Sequence, residues 1–195
     1  MIDSLMAEAG LKPRDLDCLA FGRGPGSFTG VRIATGVIQG IALGADLPVV
    51  PVSTLAALAQ DFFDAPKGEQ ERMTDDDVAF TAIDARMGEI YWAVYRRSEQ
   101  GYAELVGEES VVKAGQIDFP ELRGVGLGSG WGVYRQDLMS RLEGKIDYVE
   151  SLKLPRAGAV ARLGWHGFEQ GLAVDAANAL PVYLRDKVAK KESER

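Results

Sequence analysis

The stretch "AFGRGPGSFTGVRIATGVIQGIALG", residues 20–44, constrains this chain more than any other part of it. A short apolar run ends in a glycine-rich loop, and the loop opens into a segment of helical period. A strand that turns through glycines straight into a helix is the start of a β-loop-α unit, so the reading begins from an α/β fold. The loop also raises a chemical question, because glycine turns at helix N-termini hold phosphates. Glycines stand at 22, 24, 26 and 30, and no Gly-Lys-Ser/Thr follows, so this is not a Walker A loop. G-x-G-x-x-G fails as well: counted from Gly22 the last position is Ser27, and counted from Gly24 it is Thr29. Two readings of Gly24, Pro25, Gly26, Ser27, Thr29 and Gly30 remain. One is an anion site; the other, favoured by the spacing, is a sharp turn in which Ser27 or Thr29 caps the helix.

The helix itself, expected from about Gly30 to Gly44, says more. Gly36, Gly40 and Gly44 recur every fourth residue, bordered by Ile33, Val37 and Ile41. Each interior glycine costs a helix roughly 1 kcal/mol against alanine, so three on one face need a compensating gain. A groove without side chains lets another backbone approach closely. That backbone could belong to a neighbouring element or to another subunit. The sharper reading, a subunit interface, takes Ile33, Gly36, Val37, Gly40, Ile41 and Gly44 as contact residues.

Bulk properties narrow the classes. The chain has 195 residues, 46% of them apolar, and carries a net charge of −7 from 29 acidic and 22 basic residues. An acidic chain has no electrostatic case for binding RNA or DNA by itself. One histidine, His166, excludes a histidine-cluster metal centre within one chain. The single cysteine, Cys18, lies in an apolar run and reads as a buried small hydrophobe in a reducing compartment. No apolar run reaches the roughly 18 residues of a membrane span and no signal peptide pattern leads the chain, so a soluble cytoplasmic protein is expected.

The rest of the chain supports an α/β layout. Asp15 to Gly22 and Leu47 to Ser53 read as buried strands, with Ser53 capping a helix over "TLAALAQDFF". Asp64 to Asp77 reads as a linker. "VAFTAIDA" and "EIYWAVYR" form a hairpin, "VGLGSG" is a strand entering a second glycine turn, and a helix follows from about Val133 to Leu142. "GAVARLGWHGFEQGL" has helical period, with Val160, Leu163, Phe168 and Leu172 as core positions and Gly164 and Gly167 against it. "LPVYLRD" is extended, and "KVAKKESER" is a solvated tail. Asp84 and Glu89 flank the hairpin turn, either as an acid/base pair or, favoured here, as turn caps and partners of Arg86. No Ser/His/Asp or Cys/His set is discernible.

At this point the sequence resembles the bacterial TsaB (YeaZ) family, on three motifs in order: "GPGSFTGVRIATG", "AIDARMGEIYWAVY" and "PVYLRDKVA". The resemblance spans nearly the whole chain. It implies an actin-like, sugar kinase/Hsp70-type, ribonuclease H-like fold of two lobes. It also implies a part in adding threonylcarbamoyl to adenosine 37 of tRNAs that read ANN codons. In that family the subunit is a non-catalytic relative of TsaD and pairs with it. TsaE joins the larger complex, TsaC makes the donor separately, and tRNA is met only through the complex. A homodimer is also implied as possible. No cofactor or metal is expected, in keeping with one histidine where TsaD uses a histidine motif. The expected lobes are residues 1–66, with 175–195 returning to them, and 67–174.

Two rivals are an ATP-dependent enzyme of the sugar-kinase type and an inactive glycoprotease homologue with another partner. The first needs acidic residues beside both glycine loops to hold Mg²⁺. Asp17 is read as lying within the first strand, and no Asp or Glu stands between Gly124 and Gln136. The resemblance further implies that roughly 40 residues of the family's front end, its first strands, are not represented, which would leave an unpaired sheet edge. On this reading a form extended by those strands melts higher than the 195-residue form; equal melting temperatures would refute it.

Overall fold

The computed structural model describes residues 1–65 and 78–185. In chain order the elements are α1 (Ile2–Ala9), β1 (Leu19–Gly24), α2 (Phe28–Ala45), β2 (Val49–Ser53), α3 (Thr54–Phe63), β3 (Val78–Arg86), β4 (Glu89–Arg97) and β5 (Ala103–Lys113). Then come β6 (Gly124–Leu127), α4 (Ser129–Val133), α5 (Arg135–Arg141), β7 (Ile146–Glu150) and α6 (Ala157–Glu169). Strands β1 and β2 form a parallel pair, and the larger sheet runs β5-β4-β3-β6-β7. In it β3–β4 and β4–β5 are antiparallel, while β3–β6 and β6–β7 are parallel.

The two sheets share α3. Ser53 ends β2 and caps the helix, its Oγ accepting from the amides of Leu55 at 3.1 Å and Ala56 at 3.3 Å. Leu55, Leu58, Ala59, Phe62 and Phe63 pack on Ala79, Ala93, Tyr95, Val125 and Leu127 of the larger sheet. Ala57 joins Val50 and Val52 of the smaller one, together with Ala159 of α6. A helix buried on so many sides has no room for an unpaired polar group. Gln60, 0% exposed, is fully employed: its Nε2 donates to the Gly101 carbonyl (3.0 Å) and Asp64 (2.9 Å), and its Oε1 accepts from the Ala103 amide (2.8 Å). The opposite face of the larger sheet is closed by Trp131, Leu138 and Leu142 against Phe80, Trp92 and Val94. Each such large side chain contributes about 1.5–3 kcal/mol on burial.

Strand alternation divides the smaller sheet. Phe21 and Val49 face α2 through Ala42, while Ala20, Val50 and Val52 face α3 and α6. Helix α6 therefore lies across the first sheet, although the sequence reading grouped residues up to 174 with the second lobe. Gly164 and Gly167, which weakened the helix expectation, are its contact residues. A Cβ at 164 would stand 2.3 Å from the Cβ of Ala20, and one at 167 would stand 2.8 Å from Val50. Val160, Leu163 and Phe168 pack there as expected, but Leu172 lies past the helix end and is 63% exposed.

Other differences have local causes. The first strand begins at Leu19 because Pro13–Asp15 forms a one-turn 3-10 helix and Asp17 lies in a bend. Cys18 therefore precedes the strand and is only half-buried. Strands β5 and β7 carry no clear alternation in sequence; β5 ("AELVGEESVVK") is a polar edge strand broken by a bulge. The linker from 66 to 77 and the tail from 186 fall outside the described residues.

Gly164→Ala is expected to lower stability to urea. Alanine adds roughly 1 kcal/mol of helix propensity, but the close contact with β1 costs about 1–3 kcal/mol. Unchanged or raised stability would refute close packing at this site.

Candidate partner interface

Helix α2 turns Val31, Thr35 and Ala42 into the molecule. Its other side is bare. Ile33 is 62% exposed, Val37 is exposed and Ile41 is half-buried. A Cβ placed at Gly36, Gly40 or Gly44 would have no heavy atom within 4 Å outside the helix's own nearby backbone. Lys12, Pro13 and Arg14 form the far wall of a shallow depression of about 410 Å³ over Gly40, Ile41, Gly44 and Ala45. Among the described residues, then, no element of this chain occupies the groove. Ile2 and Leu5, which the sequence places at helical spacing in an N-terminal helix expected to share the contact surface, are exposed on α1, and Phe28 and Leu43 of α2 are exposed apolar residues that the sequence reading did not single out. Leu43 was legible, since it stands seven residues after Gly36 and so on nearly the same side.

By length and composition α2 could cross a membrane: it has 18 residues and a mean hydropathy of 1.3. In this structure its inner side packs on β1, with Ala42 against Phe21.

The glycine loop is a turn. Ser27, not Thr29, is the cap, its Oγ accepting from the Gly30 amide at 3.5 Å; Thr29 lies exposed in the first turn, and the helix starts at Phe28. The Gly24–Pro25 peptide is cis, and Gly24 has φ 98°. A Cβ at Gly24 would stand 3.0 Å from the Val182 carbonyl oxygen, and one at Gly26 would stand 3.6 Å from Val31. The loop is thus packed by residues of its own chain.

The second glycine turn is filled more tightly. A Cβ at Gly126 would meet the Trp131 ring at 2.6 Å, one at Gly128 the Ala82 carbonyl oxygen at 2.6 Å, and one at Gly130 the Ala82 Cβ at 2.9 Å. These glycines serve close approach of the chain to itself.

The C-terminal segment brings the three motifs together. The Gln39 amide donates to the Ala179 carbonyl (3.2 Å), and the Val182 amide donates to the Arg23 carbonyl (2.8 Å). Arg32 Nε donates to the Tyr183 hydroxyl (2.9 Å) with its guanidinium 3.7 Å from the Phe28 ring centroid. Arg185 then reaches the hairpin, pairing with Glu89 at 2.6 Å. Asp84 and Glu89 are separately engaged. Asp84 pairs with Arg86 at 3.2 Å and accepts from the Arg86 amide at 2.8 Å and the Tyr134 hydroxyl at 3.2 Å. The Arg86–Asp84 pair matches the turn-cap reading; the Arg185–Glu89 pair has no local sequence signal, because its partners are 96 residues apart.

The remaining candidates are quiet chemically. Partial burial, then the charge of Asp17, pushes the Cys18 thiol above its ordinary pKa, which disfavours the thiolate. His166 stacks on Tyr102, with ring centroids 3.9 Å apart and planes 13° from parallel. Among the described residues no group of three or more His, Cys, Asp or Glu side chains is placed to hold a metal ion.

A second polar contact crosses between the sheets. Bulged residues 107–109 of β5 turn Glu109 inward, where it accepts from the Tyr95 hydroxyl at 2.6 Å and meets Arg23 of β1 at 3.5 Å. Burial, then the Glu109 carboxylate, holds the Tyr95 phenol well above its usual range.

This two-sheet arrangement, with a helix shared between lobes, is the actin-like fold, and its close structural neighbours are YeaZ proteins. YeaZ from Pseudomonas aeruginosa superposes with a TM-score of 0.81 at 39% identity, over 94% of this chain and 81% of that one. A second P. aeruginosa structure, described as similar to peptidase YEAZ, gives 0.81 at 38% over 95% and 81%. Residues 1–192 match the family described as TsaD, tRNA N6-adenosine threonylcarbamoyltransferase. The tRNA threonylcarbamoyladenosine biosynthesis protein TsaB of Escherichia coli K12 is 37% identical, over 98% of this chain and 80% of that protein. The protein of the same name from Haemophilus influenzae is also 37% identical, with the same coverage. The chain belongs to the TsaB (YeaZ) family.

The raised Tyr95 pKa fixes a sign. The phenol keeps its proton in the folded state above the unfolded value, so its contribution is complete below that value and is lost as pH rises through the folded one. Above about pH 10 the wild-type chain is expected to lose stability more steeply than Tyr95→Phe, in urea unfolding followed across pH. Parallel curves would overturn this.

Proposed function

We propose that this chain is a non-catalytic scaffold subunit of the cytoplasmic assembly that adds threonylcarbamoyl to adenosine 37 of tRNAs reading ANN codons. The observation that carries the proposal is the open glycine groove of α2, a face costly to the helix and unoccupied among the described residues. Family membership supplies the pathway, since the relatives are named for tRNA threonylcarbamoyladenosine biosynthesis. The partner is TsaD, whose family description matches this chain and which would present a related helix. TsaE joins the larger complex, and tRNA is engaged through the complex, in keeping with a net charge of −7. A second copy of the chain competes for the same face in the absence of TsaD.

The non-catalytic part of the reading is supported by what fills the two glycine turns. Ser27 and Val182 occupy the first, Trp131 and Ala82 the second, and Asp84 is tied to Arg86 and Tyr134.

Position 40 tests the proposal with two substitutions. Gly40→Ala meets nothing, so it is expected to stabilise the isolated chain by roughly 1 kcal/mol. Gly40→Leu is expected to keep the fold by circular dichroism and to abolish co-elution with TsaD in size-exclusion chromatography. Undiminished complex formation by Gly40→Leu would refute the interface, and ATP turnover by the isolated chain would refute the non-catalytic role.

A further inference from the structure

The turn between β3 and β4 is held in an uncommon conformation. Arg86 has φ 63° and Met87 has φ 59°, both in the left-handed region although neither is glycine; Gly88 follows at φ 80°. Met87 is 70% exposed, so no burial of its side chain offsets this. The turn carries a second local cost. Asp84 pairs with Ile90 and Arg86 with Glu89, which leaves Ala85 as an extra residue without a partner in the register. Asp84 caps the Arg86 amide from inside the hairpin at 2.8 Å, while the Ala85 and Arg86 carbonyls take a donor from outside it.

The geometry points to Arg185 as that positioning residue, and to residues 179–185 as a clasp that makes the shape of the hairpin tip conditional on docking against α2 and β1. One terminal nitrogen of Arg185 converges on both sides of the turn. Its two N–H groups are shared, one of them bifurcated, among the carbonyl of the bulged Ala85 (3.0 Å), the Arg86 carbonyl (3.4 Å) and the Glu89 carboxylate (2.6 Å). The other terminal nitrogen lies 4.0 Å from the Met87 sulfur. A planar guanidinium can serve carbonyls and a carboxylate together, which an ammonium on a flexible stem does poorly.

The clasp is fixed at its other end to different elements. Ala179 is fully buried against Phe21, Ala42 and Val49, and Gln39 of α2 donates to its carbonyl. Val182 bonds to Arg23 of β1, and Tyr183 is held by Arg32 of α2 with its ring 6.0 Å from that of Phe28. The segment therefore runs from the first sheet to the tip of the second, which it meets through Arg185. Anything that shifts the clasp on α2 releases the hold on Arg86 and Met87.

Hydrogen exchange at the amides of residues 86–89 in the full chain tests this, with Phe80–Ala82 of the same strand as reference. Arg185→Ala is expected to speed exchange at the turn about tenfold, the loss of a charged hydrogen-bond set. Arg185→Lys should recover only a minor part. Met87→Gly removes the cost of the left-handed φ, so in that background Arg185→Ala should change exchange much less. Tyr183→Phe, which touches the clasp and not the turn, should also speed exchange at 86–89. An equal effect of Arg185→Ala in the wild-type and Met87→Gly backgrounds would overturn the assignment and leave a plain ion pair with Glu89. So would an unchanged turn in Arg185→Ala, or unfolding in both backgrounds. Unfolding of Arg185→Ala that Met87→Gly rescues would support it.

Discussion

The structure depends on keeping α3 dry. This helix is the shared wall of both sheets, and burial leaves Gln60 no water to bond with. Its amide must find three protein partners at once. Two of them, Gly101 and Ala103, lie on the loop and strand that follow β4, and the third is at the helix's own end. Meeting that demand fixes where the larger sheet stands relative to α3. Through Ser53 and Ala57 it also fixes where the smaller sheet stands. The Arg23–Glu109 and Arg185–Glu89 pairs then close the seam from outside.

Glycine is used in this chain for two opposite purposes. At Gly126, Gly128, Gly130, Gly164 and Gly167 the missing side chain is filled by the protein itself, and the gain is close contact between backbone layers. At Gly36, Gly40 and Gly44 none of the described residues outside the helix fills the missing side chain. In sequence the two groups look alike. What separates them is whether an apolar element of the same chain lies opposite, which is a tertiary fact.

That distinction marks how far the sequence could be read. The strand-loop-helix unit, the capping by Ser53, the β3–β4 hairpin and the groove residues of α2 were legible, because each rests on short-range periodicity or turn chemistry. The family followed from three motifs. Strand β5 was not legible, because an edge strand with four charged residues and a glycine bulge has no alternation to read. Asp17 and Cys18 were misplaced because Pro13 starts a 3-10 turn that delays the strand. The pairing of Arg185 with Glu89 joins two distant segments of the chain, and only the folded topology brings them together.

The form of β5 bears on how the molecule can assemble. As one of the two outer strands of the larger sheet it offers unpaired backbone groups, the usual route to open-ended stacking. The turn of chain at Gly107 interrupts that row, and Glu104 and Glu108 place like charges where a second such strand would have to lie. Extension of the sheet through β5 is thereby discouraged. With the α2 interface proposed above, growth on the other side would be self-limiting, since one partner laid along the helix covers its glycine groove.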